Sequence, residues 1–356
     1  MNRSRYVLGV MLLSAWMLAI VPVASSSEQD ETPPTGNPGD PIQLNPEFTD
    51  PADDVWLFQI SPDGNQIVYL VRNRRSGDNA LHSVPIGGGA ATRLTPPMDD
   101  GEYIEGNFRV SLDSTRVLYV SNHEILGNQE LFSVSIDGGV PVRLNAPLPA
   151  GAWLENFVLT PDGNTVVYWA DVTTFRDMVA FAAPLNTGPV VRLYPPEPAA
   201  EYLAWVRVTP DSETVVLSTG DGELIAVPMD GGEPRTLASG LGFAGNYKIS
   251  NDGSHVVFIN DVSDDTLSLR SSPIAGGPSV MLGQGVTRYE VAADSSRVVW
   301  LAGEELFSAP VAGGTAVSLG RADTFAISPD SGSVWFGSHD DPRGIYRVPI
   351  DGGYPT

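Results

Sequence analysis

One eleven-residue pattern occurs seven times along the chain, and it restricts the possible fold more than any other feature of the sequence. The first copy is ISPDGNQIVYL at 60–70. Anchored on the third residue of the S-P-D signature, the copies lie at Asp63, Asp113, Asp162, Asp211, Asp252, Asp294 and Asp330, with steps of 50, 49, 49, 41, 42 and 36 residues. A period of about 40–50 residues predicts an all-β, seven-bladed β-propeller of four-stranded blades.

Turn signals divide each repeat into strands. In S-P-D-G the proline fixes φ, the aspartate can accept backbone hydrogen bonds and the glycine takes a conformation that larger side chains resist, so strands one and two should be tightly joined. A Gly pair recurs between strands three and four, as in IDGG at 136–139. For the first blade the pattern predicts strands near 55–61, 65–72, 80–86 and 90–95.

The last repeat ends just after its Gly pair, without a fourth strand, and the N-terminal part of the chain carries a matching sequence. PIQLN at 41–45 resembles PVRLN at 141–145, which precedes the third repeat. A strand from 41–45 is therefore expected to complete the seventh blade, closing the ring and removing exposed sheet edges. The predicted propeller spans 41–356.

These repeats resemble the TolB-type WD40-like (PD40) β-propeller repeats. The likeness covers about 41–356 and is clearest in ISPDG, IVYL and LHSVPIGGGAATRLT of the first repeat. It implies the fold and no single activity, because similar propellers act as protein-binding platforms in the periplasm and as the domain in front of the hydrolase in prolyl oligopeptidase-like enzymes. The α/β domain that precedes the propeller in TolB has no counterpart in this sequence, and no hydrolase domain follows.

The N-terminus has the pattern of a secretory signal. Arg3 and Arg5 precede an apolar run from Tyr6 to Val23 and then small residues, which predicts a signal peptide at 1–25. An uncleaved membrane anchor is the alternative, because the run is nearly long enough to span a bilayer. Residues 26–40 are acidic and Pro-rich and are expected to be a disordered leader. The expected location is periplasmic or extracellular, with no membrane insertion beyond the signal segment.

Composition restricts the partners. The chain has 43 acidic and 20 basic residues, a net charge of −23, and no cysteine. Nucleic acid and anionic membranes are therefore poor partners, and an exported fold without disulfides must depend on a large apolar core. A protein or peptide partner is expected, and the chain is expected to be a monomer.

Motifs for known chemistry are missing from the sequence. There is no G-x-S-x-G nucleophile elbow, and HEILG at 123–127 lacks the second histidine of a zinc-protease motif. The acid-rich loops lack EF-hand spacing. No catalytic residue, metal site or cofactor is predicted, although an unrecognised site in the channel stays open.

The position four residues before each repeat aspartate is the first candidate site. Aromatic and aliphatic residues five and three before it are expected to pack between blades, so the residue between them should line the central channel. Arg109, Arg207 and Lys248, the only lysine, stand there, together with Gln59 and Glu290. They either form a positive mouth that attracts a carboxylate or acidic peptide, or pair with neighbouring acids such as Glu290.

The loops before blades two to four are the second candidate site. They are long and aromatic, carrying Tyr103, Trp153, Tyr202 and Trp205, whereas the loops before blades five to seven are short. Because Tyr and Trp are favoured anchors in interfaces, a partner-binding rim is predicted there. The alternative is that these aromatics only fix the loops to the blades.

The sequence thus favours an exported, non-catalytic propeller that binds a protein or ligand through its loop face and channel mouth. Two alternatives stay open. The chain could be the propeller of an oligopeptidase-like hydrolase whose catalytic domain lies beyond Thr356, or a propeller that binds a small anion or sugar acid, or acts as a lyase, in its channel. The identity of the partner is not encoded in any motif.

Overall fold

The computed structural model describes residues 41–99, 101–125, 127–172, 178–186, 188–194, 203–241, 247–262, 266–338 and 343–353. The predicted signal peptide at 1–25, the leader at 26–40 and Tyr202 lie outside these ranges. Two compact units are distinguished, Met1–Ile42 and Gln43–Thr356, and the second contains all the strands described below. Every regular element among the described residues is a β-strand.

Seven antiparallel sheets follow one another along the chain, each built from consecutive strands. Sheet 1 contains β1 (Asp53–Ile60), β2 (Gln66–Asn73), β3 (Asn79–Pro85) and β4 (Thr92–Arg93). Sheet 2 contains β5 (Ile104–Val110), β6 (Arg116–Ser121), β7 (Glu130–Ser135) and β8 (Val142–Arg143). Sheet 3 contains β9 (Leu154–Leu159), β10 (Thr165–Asp171), β11 (Met178–Pro184) and β12 (Val191–Tyr194). The predicted strands of the first repeat are confirmed, except that β4 is only two residues long.

The remaining sheets repeat this order. Sheet 4 contains β13 (Leu203–Val208), β14 (Thr214–Thr219), β15 (Leu224–Pro228) and β16 (Arg235–Ala238). Sheet 5 contains β17 (Tyr247–Ile249), β18 (His255–Val262), β19 (Thr266–Pro273) and β20 (Val280–Gln284). Sheet 6 contains β21 (Val286–Val291), β22 (Arg297–Ala302), β23 (Glu305–Pro310) and β24 (Val317–Arg321). Sheet 7 contains β25 (Thr324–Ile327), β26 (Ser333–Ser338) and β27 (Gly344–Pro349). Consecutive four-stranded antiparallel sheets of this kind are the blades of β-propellers.

A compact hydrogen-bond network forms the turn between strands one and two. In the first turn, Ser61 Oγ donates to Asp63 Oδ1 at 2.5 Å and accepts from the Gln66 N–H at 2.9 Å, while Asp63 Oδ1 also accepts from the Asn65 N–H at 3.1 Å. The hydroxyl bond to the aspartate recurs in five other turns, from Ser111, Thr160, Thr209, Ser250 and Ser328. The seventh turn has Ala292 at that position. These bonds explain why the S-x-D part of the signature recurs.

The fourth position of the turn has a positive φ whether or not it is glycine. Serine, for which this conformation is less favourable than for glycine, occupies the position in four turns, at Ser114, Ser212, Ser295 and Ser331, with φ between 59° and 63°. Each of these serines accepts a hydrogen bond from the preceding sheet, where the backbone N–H groups of Asp63, Asp162, Asp252 and Asp294 donate at 2.9–3.1 Å. The strained serine thus links two neighbouring sheets.

Six apolar clusters lie between the seven sheets, and each contains the same pair of positions. One member of the pair stands five residues before the repeat aspartate, on the first strand of its sheet. The other lies on the second strand of the preceding sheet, directly opposite that sheet's predicted channel residue. These pairs are Val68 with Phe108, Leu118 with Phe157, Val167 with Val206, Val216 with Tyr247, Val257 with Tyr289, and Val299 with Phe325. The expectation that this aromatic position packs between sheets is confirmed for these six interfaces.

The seventh pair is not formed. By register, Trp335 is the strand-two residue of sheet 7 and Phe58 is the aromatic residue of sheet 1. Trp335 is 46% exposed and Phe58 is 68% exposed, and Ile60 and Ile345 are exposed beside them. The prediction that Phe58 lies in the core is therefore wrong for this structure, because sheets 7 and 1 do not pack on each other.

The predicted closing strand is also absent. Residues 41–45 form no strand, and within the described residues sheet 7 has three strands rather than four. The segment nevertheless lies beside sheet 1, since Leu44 Cδ2 is 3.6 Å from the position that a Cβ on Gly88 would occupy. In other sheets, a Cβ on the equivalent glycine would contact a residue on the fourth strand of the preceding sheet. These pairs are Gly138 with Thr92, Gly231 with Val191, Gly313 with Val280, and Gly352 with Val317.

Candidate functional site

The predicted channel residues lie on the first strands of their sheets. Exposure alternates as expected around Arg109 and Arg207, whereas on β1 Gln59 is half-buried between the exposed Phe58 and Ile60. Arg109 and Arg207 are exposed between buried or half-buried neighbours, and Gln59, Lys248 and Glu290 are half-buried. Side chains of these strands also bridge consecutive sheets, as where Gln59 Oε1 accepts from the Val110 N–H at 3.2 Å. The first strands of neighbouring sheets therefore lie side by side.

Lys248 is paired with an acid, as one of the two sequence interpretations expected. Its Nζ lies 2.5 Å from Glu290 Oε2 and donates to the Tyr289 carbonyl at 3.2 Å. Both side chains are more than one third exposed, so water screens the pair and its contribution to stability is small. The contact joins sheet 5 to sheet 6.

Cations of the first strands also lie over the buried aromatic residue of the next sheet. Lys248 Nζ is 5.3 Å from the centroid of the Tyr289 ring, and Arg207 Cζ is 5.4 Å from that of Tyr247. Arg288, two residues from the channel position, stands 4.9 Å from Phe325 in the same relation. Cation–π contact across the sheet interface is thus one structural reason for basic residues on the first strands.

Arg109 differs from the other two cations. Its Nη1 donates to the carbonyl of Phe108, its own neighbour in the chain, at 2.9 Å. Desolvation by the surrounding strands lowers the pKa of its guanidinium. No acid is its partner among the described contacts, and the same is true of Arg207, so these two cations, unlike Lys248, form no ion pair there.

The predicted rim residues lie at or just before the beginning of first strands, on the loop side of the sheets. Trp153 and Trp205 are 52% and 48% exposed, while Tyr103 is half-buried with its hydroxyl 3.1 Å from Gln129 Nε2. Tyr202 lies outside the described residues. The structure therefore leaves two of the predicted indole rings available to a partner and fixes Tyr103 by a hydrogen bond.

Sequence reasoning missed Trp56. It lies on β1, 48% exposed, with its ring 2.8 Å from the position that a Cβ on Gly106 would occupy and 5.2 Å from Arg72 Cζ. No aromatic-rich linker precedes it, so the loop pattern could not point to it. The glycine at position 106 of the next sheet was the available signal, because a bulky neighbour requires a small residue there.

Polar side chains on the first strands of sheets 2 and 3, and in the loop before β7, form hydrogen bonds with one another. Gln129 Nε2 donates to Glu105 Oε1 at 2.5 Å, and Asn107 Nδ2 donates to Asn156 Oδ1 at 2.7 Å. Burial raises the pKa of the Glu105 carboxyl; the hydrogen bond from Gln129 opposes this shift and the charge of Glu155 adds to it. These hydrogen bonds depend on which sheets are neighbours in the fold, and no local sequence motif predicts them.

A cleft of about 310 Å³ lies against sheet 1. Pro46–Thr49 line one side and the stacked rings of Tyr69 and His82 line the other. Burial, together with the charge of Arg93, lowers the pKa of the His82 imidazole. Because Tyr69 pairs with Phe58, the cleft belongs to the same face of sheet 1 that lacks a partner sheet.

The described residues contain neither a membrane-spanning helix nor a cluster of metal-binding side chains. No helix there is long and apolar enough to span a bilayer. No group of three or more histidine, aspartate or glutamate side chains in those ranges is arranged to hold a metal ion.

The fold is shared with known structures, although the sequence matches no protein-family model and no curated protein. A crystal structure of the eukaryotic initiation factor is 11% identical, with a TM-score of 0.53 over 85% of this chain and 77% of that one. Oligogalacturonate lyase from Vibrio parahaemolyticus is 14% identical, with a TM-score of 0.46 over 83% and 89%. A TolB-type protein from Agrobacterium tumefaciens is 18% identical, with a TM-score of 0.39 over 64% and 79%. The first of these supports the fold, and at such identity it says nothing about activity.

Proposed function

We propose that the chain closes into a seven-bladed propeller, with sheet 7 packing on sheet 1. The six formed interfaces all contain one pair of equivalent residues, and the only pair left over by this rule is Trp335 with Phe58. Both side chains are apolar and about half exposed or more. Burying two such faces against each other is favourable at roughly 25 cal/mol per Å² of apolar area.

The N-terminal segment is proposed to supply the outer strand of sheet 7. Leu44 already occupies, beside Gly88, the place that fourth-strand residues occupy beside the equivalent glycines of other sheets. Pairing of 41–45 with β27 would give that strand its missing neighbour and protect an open edge, which otherwise invites association with other chains.

The function proposed for this propeller is capture of a protein partner outside the cytoplasm, through its loop face. One observation carries the proposal: two indole rings, those of Trp153 and Trp205, stand about half exposed near the loop ends of the first strands of sheets 3 and 4. A third, that of Trp56, is half exposed within β1 of sheet 1. Tryptophan is enriched among the residues that dominate binding energy, and a rigid sheet framework holds the rings without an entropic cost on binding. The predicted signal sequence motivates the location.

The test is retention of a partner by the mature protein immobilised at its C-terminus, using the exported fraction of the native host. A stoichiometric partner retained by the native protein should be lost with Trp153→Ala/Trp205→Ala. The matched control is Leu112→Ala, which removes an exposed apolar side chain from a tight turn between strands one and two, away from the loop face. Equal retention by the rim variant, with an unchanged melting temperature, would contradict the proposal.

A second function is favoured by the channel cations. Arg109 and Arg207 are exposed on the first strands of sheets 2 and 4 in a chain that is otherwise acidic, which suits a small carboxylate or a sugar acid. Titration with galacturonate, comparing the native protein with Arg109→Gln, tests it. Loss of galacturonate binding in this variant, with the partner of the loop face still retained, would support an anion site separate from the rim.

A further inference from the structure

The cleft on sheet 1 corresponds to a space that side chains fill in sheet 2. Strand pairing and distance from the repeat aspartate give the equivalent positions of the two sheets. The equivalent pairs are Tyr69 and Tyr119, Asn73 and His123, Ala80 and Glu130, His82 and Phe132, and Arg93 and Arg143. The contacts of sheet 2 therefore show which groups suit this space.

In sheet 2 the space contains a carboxylate and a ring. Glu130 is 0% exposed, and its Oε1 accepts from Arg143 Nη1 at 2.9 Å. The imidazole of His123 lies 4.2 Å from the ring of Phe132, measured between centroids. Pairs of guanidinium and carboxylate and contacts between aromatic rings are both favourable arrangements. Sheet 2 thus fills the space with its own acid and its own ring.

Sheet 1 keeps the cation but lacks both filling groups. Ala80 has a methyl group where Glu130 has its carboxylate, and Asn73 has an amide where sheet 2 has an imidazole. Arg93 Nε and Nη2 donate to two backbone carbonyls, at 2.9 and 3.0 Å, whereas its Nη1 makes no hydrogen bond with the described residues. That atom is the one through which Arg143 holds Glu130. The cleft of about 310 Å³, lined by Ala80 and Arg93 among others, is the space that results.

Closure of sheet 7 on sheet 1 would leave room for this cleft. Sheet 2 holds its carboxylate and its ring although sheet 1 packs on the same face, through Val68 and Phe108 of one cluster. On sheet 7 the position of Leu70, which belongs to that cluster, is taken by Gly337. A closing sheet 7 thus brings less side chain to this end of sheet 1 than sheet 1 brings to sheet 2.

The acids of the cleft restrict the ligand further. Glu47, Asp53 and Asp78 line it, so a simple anion would be repelled and an ammonium group would be attracted. Burial lowers the pKa of the Arg93 guanidinium and the charge of Asp78 raises it, although no ion pair joins these two side chains in the described part of the chain. A ligand that carries a carboxylate and an ammonium group therefore matches the charges of the cleft.

The rings of Tyr69 and His82 offer a surface for a third ring. Their centroids are 5.5 Å apart, their planes differ by 19°, and both line the cleft. Aromatic rings prefer offset or tilted contact with such a surface, as His123 has with Phe132. The volume is at the lower end of the range for small-molecule sites, which suits a single amino acid.

We propose that this cleft binds a free aromatic α-amino acid. The ligand carboxylate accepts from Arg93 Nη1, and the aromatic ring lies on that of His82. The ammonium group is directed to Asp53 and Asp78. Such a ligand is neutral overall, so the net charge of −23 does not oppose its approach. The site lies on sheet 1 and is independent of partner capture by the loop face.

Isothermal titration calorimetry of the mature chain with L-phenylalanine and with L-histidine tests the assignment. At least one of the two should bind saturably at a single site. The amide of that amino acid lacks the carboxylate, and its des-amino analogue lacks the ammonium group. Each analogue should bind at least about tenfold more weakly, because each loses a hydrogen bond between charged groups. Equal affinity for either analogue, or no saturable binding of both amino acids, would overturn the assignment.

Two substitutions localise the binding to the cleft. Ala80→Glu supplies the carboxylate that sheet 2 has at this place, so it should pair with Arg93 and abolish amino-acid binding without loss of thermal stability. Arg93→Gln should weaken binding at least about tenfold, and it carries the test if Ala80→Glu does not fold. The control is Arg321→Gln, which removes an exposed cation on sheet 6 and should leave the affinity within about twofold. Unchanged affinity in Arg93→Gln, or binding that survives in a folded Ala80→Glu protein, would contradict the site.

Discussion

At the scale of single residues, the repeat depends on one turn whose fourth residue has a left-handed backbone. Glycine adopts this conformation without strain, and serine does not. Serine is nevertheless present at four of the seven turns, and at each one its hydroxyl accepts from an aspartate N–H of the preceding sheet. The turn therefore has two solutions, a relaxed glycine or a strained serine that joins two sheets.

Two substitutions at Ser114 should separate the strain from the bond. Ser114→Ala keeps the φ of 60° and loses the bond from the Asp63 N–H, so it should destabilise the protein by about 1 kcal/mol. Ser114→Gly loses the same bond but relieves roughly 1–2 kcal/mol of backbone strain and should cost less. Urea denaturation measures both. An equal loss in the two variants would mean that strain at this position is negligible.

The turn aspartates should make the fold sensitive to acid. The Ser61 hydroxyl, followed by the Asn65 N–H, lowers the pKa of the Asp63 carboxyl from 3.8 to about 2. Hydrogen bonds led by Ser111 and by Ser328 lower the pKa of Asp113 and Asp330 in the same way. As the pH falls from about 4 to 2, these carboxyls are protonated in the unfolded chain before they are protonated in the folded one. The stabilisation that the turn aspartates provide is therefore present above about pH 4 and is lost as the pH falls toward 2.

Thermal melting between pH 5 and pH 2 checks this prediction, with Ser61→Ala as the matched variant. Without the hydroxyl, the Asp63 carboxyl should return toward its usual pKa, and the melting temperature should depend less steeply on pH. An identical slope in both proteins would show that Asp63 does not contribute to acid lability.

At the scale of elements, the strands of each sheet are specified by the local sequence, whereas neighbouring sheets are joined by complementary packing of side chains. The two turn signals of each repeat were sufficient to predict the hairpins, since every strand pair is sequential. What joins the sheets is less visible in the sequence. Gly283 on β20 faces the indole of Trp300 on β22 of the next sheet, so a small residue in one strand leaves space for a large side chain in another.

Gly283→Ala should therefore damage the interface between sheets 5 and 6. An added Cβ would lie 2.6 Å from Trp300 Nε1, and Trp300 is only 2% exposed and has no room to move. Overpacking of this kind costs typically about 1–3 kcal/mol. Gly87→Ala is the control, because a Cβ there meets nothing within 4 Å. Chemical denaturation of the two variants should differ by most of that amount, and similar midpoints would contradict the prediction.

The candidate sites show the same limit of sequence reasoning. Alternation along a strand placed Arg109, Arg207 and Lys248 on one face, because that rule needs only one strand. The partner of Lys248 was anticipated as Glu290 by comparing repeats. Contacts between Gln129 and Glu105 depend on loop conformation and on how sheets 2 and 3 meet, and no spacing in the sequence encodes them.

At the scale of the whole molecule, six interfaces are complete and one is open. The exposed Phe58 and Ile60 on sheet 1 and the exposed Trp335 and Ile345 on sheet 7 are the positions that are covered in the other sheets. The chain has no cysteine, so no disulfide can hold such faces apart or together. Closure by these two faces is the arrangement that follows the rule of the other six.

A double-mutant cycle tests closure in solution. If Phe58 packs on Trp335, then Phe58→Ala and Trp335→Ala should each cost more than about 1 kcal/mol, with a coupling energy of about 0.5–3 kcal/mol. If the faces stay apart, both substitutions should be nearly neutral and additive. Unfolding in urea gives all four free energies. Phe108→Ala serves as the reference for a residue already buried at the equivalent position.

The uncovered face of sheet 1 also affects the order in which the molecule can assemble. Each of the six apolar clusters joins only consecutive sheets, so a chain emerging during synthesis can complete them one after another. The face that carries Phe58 cannot be completed in this way, because its cover must come from the last-made residues, from the N-terminal segment or from another molecule. For almost the whole of synthesis this face needs shielding, and two incomplete chains could use it to exchange sheets. A chaperone that binds exposed apolar strands would therefore act on this protein at its first sheet.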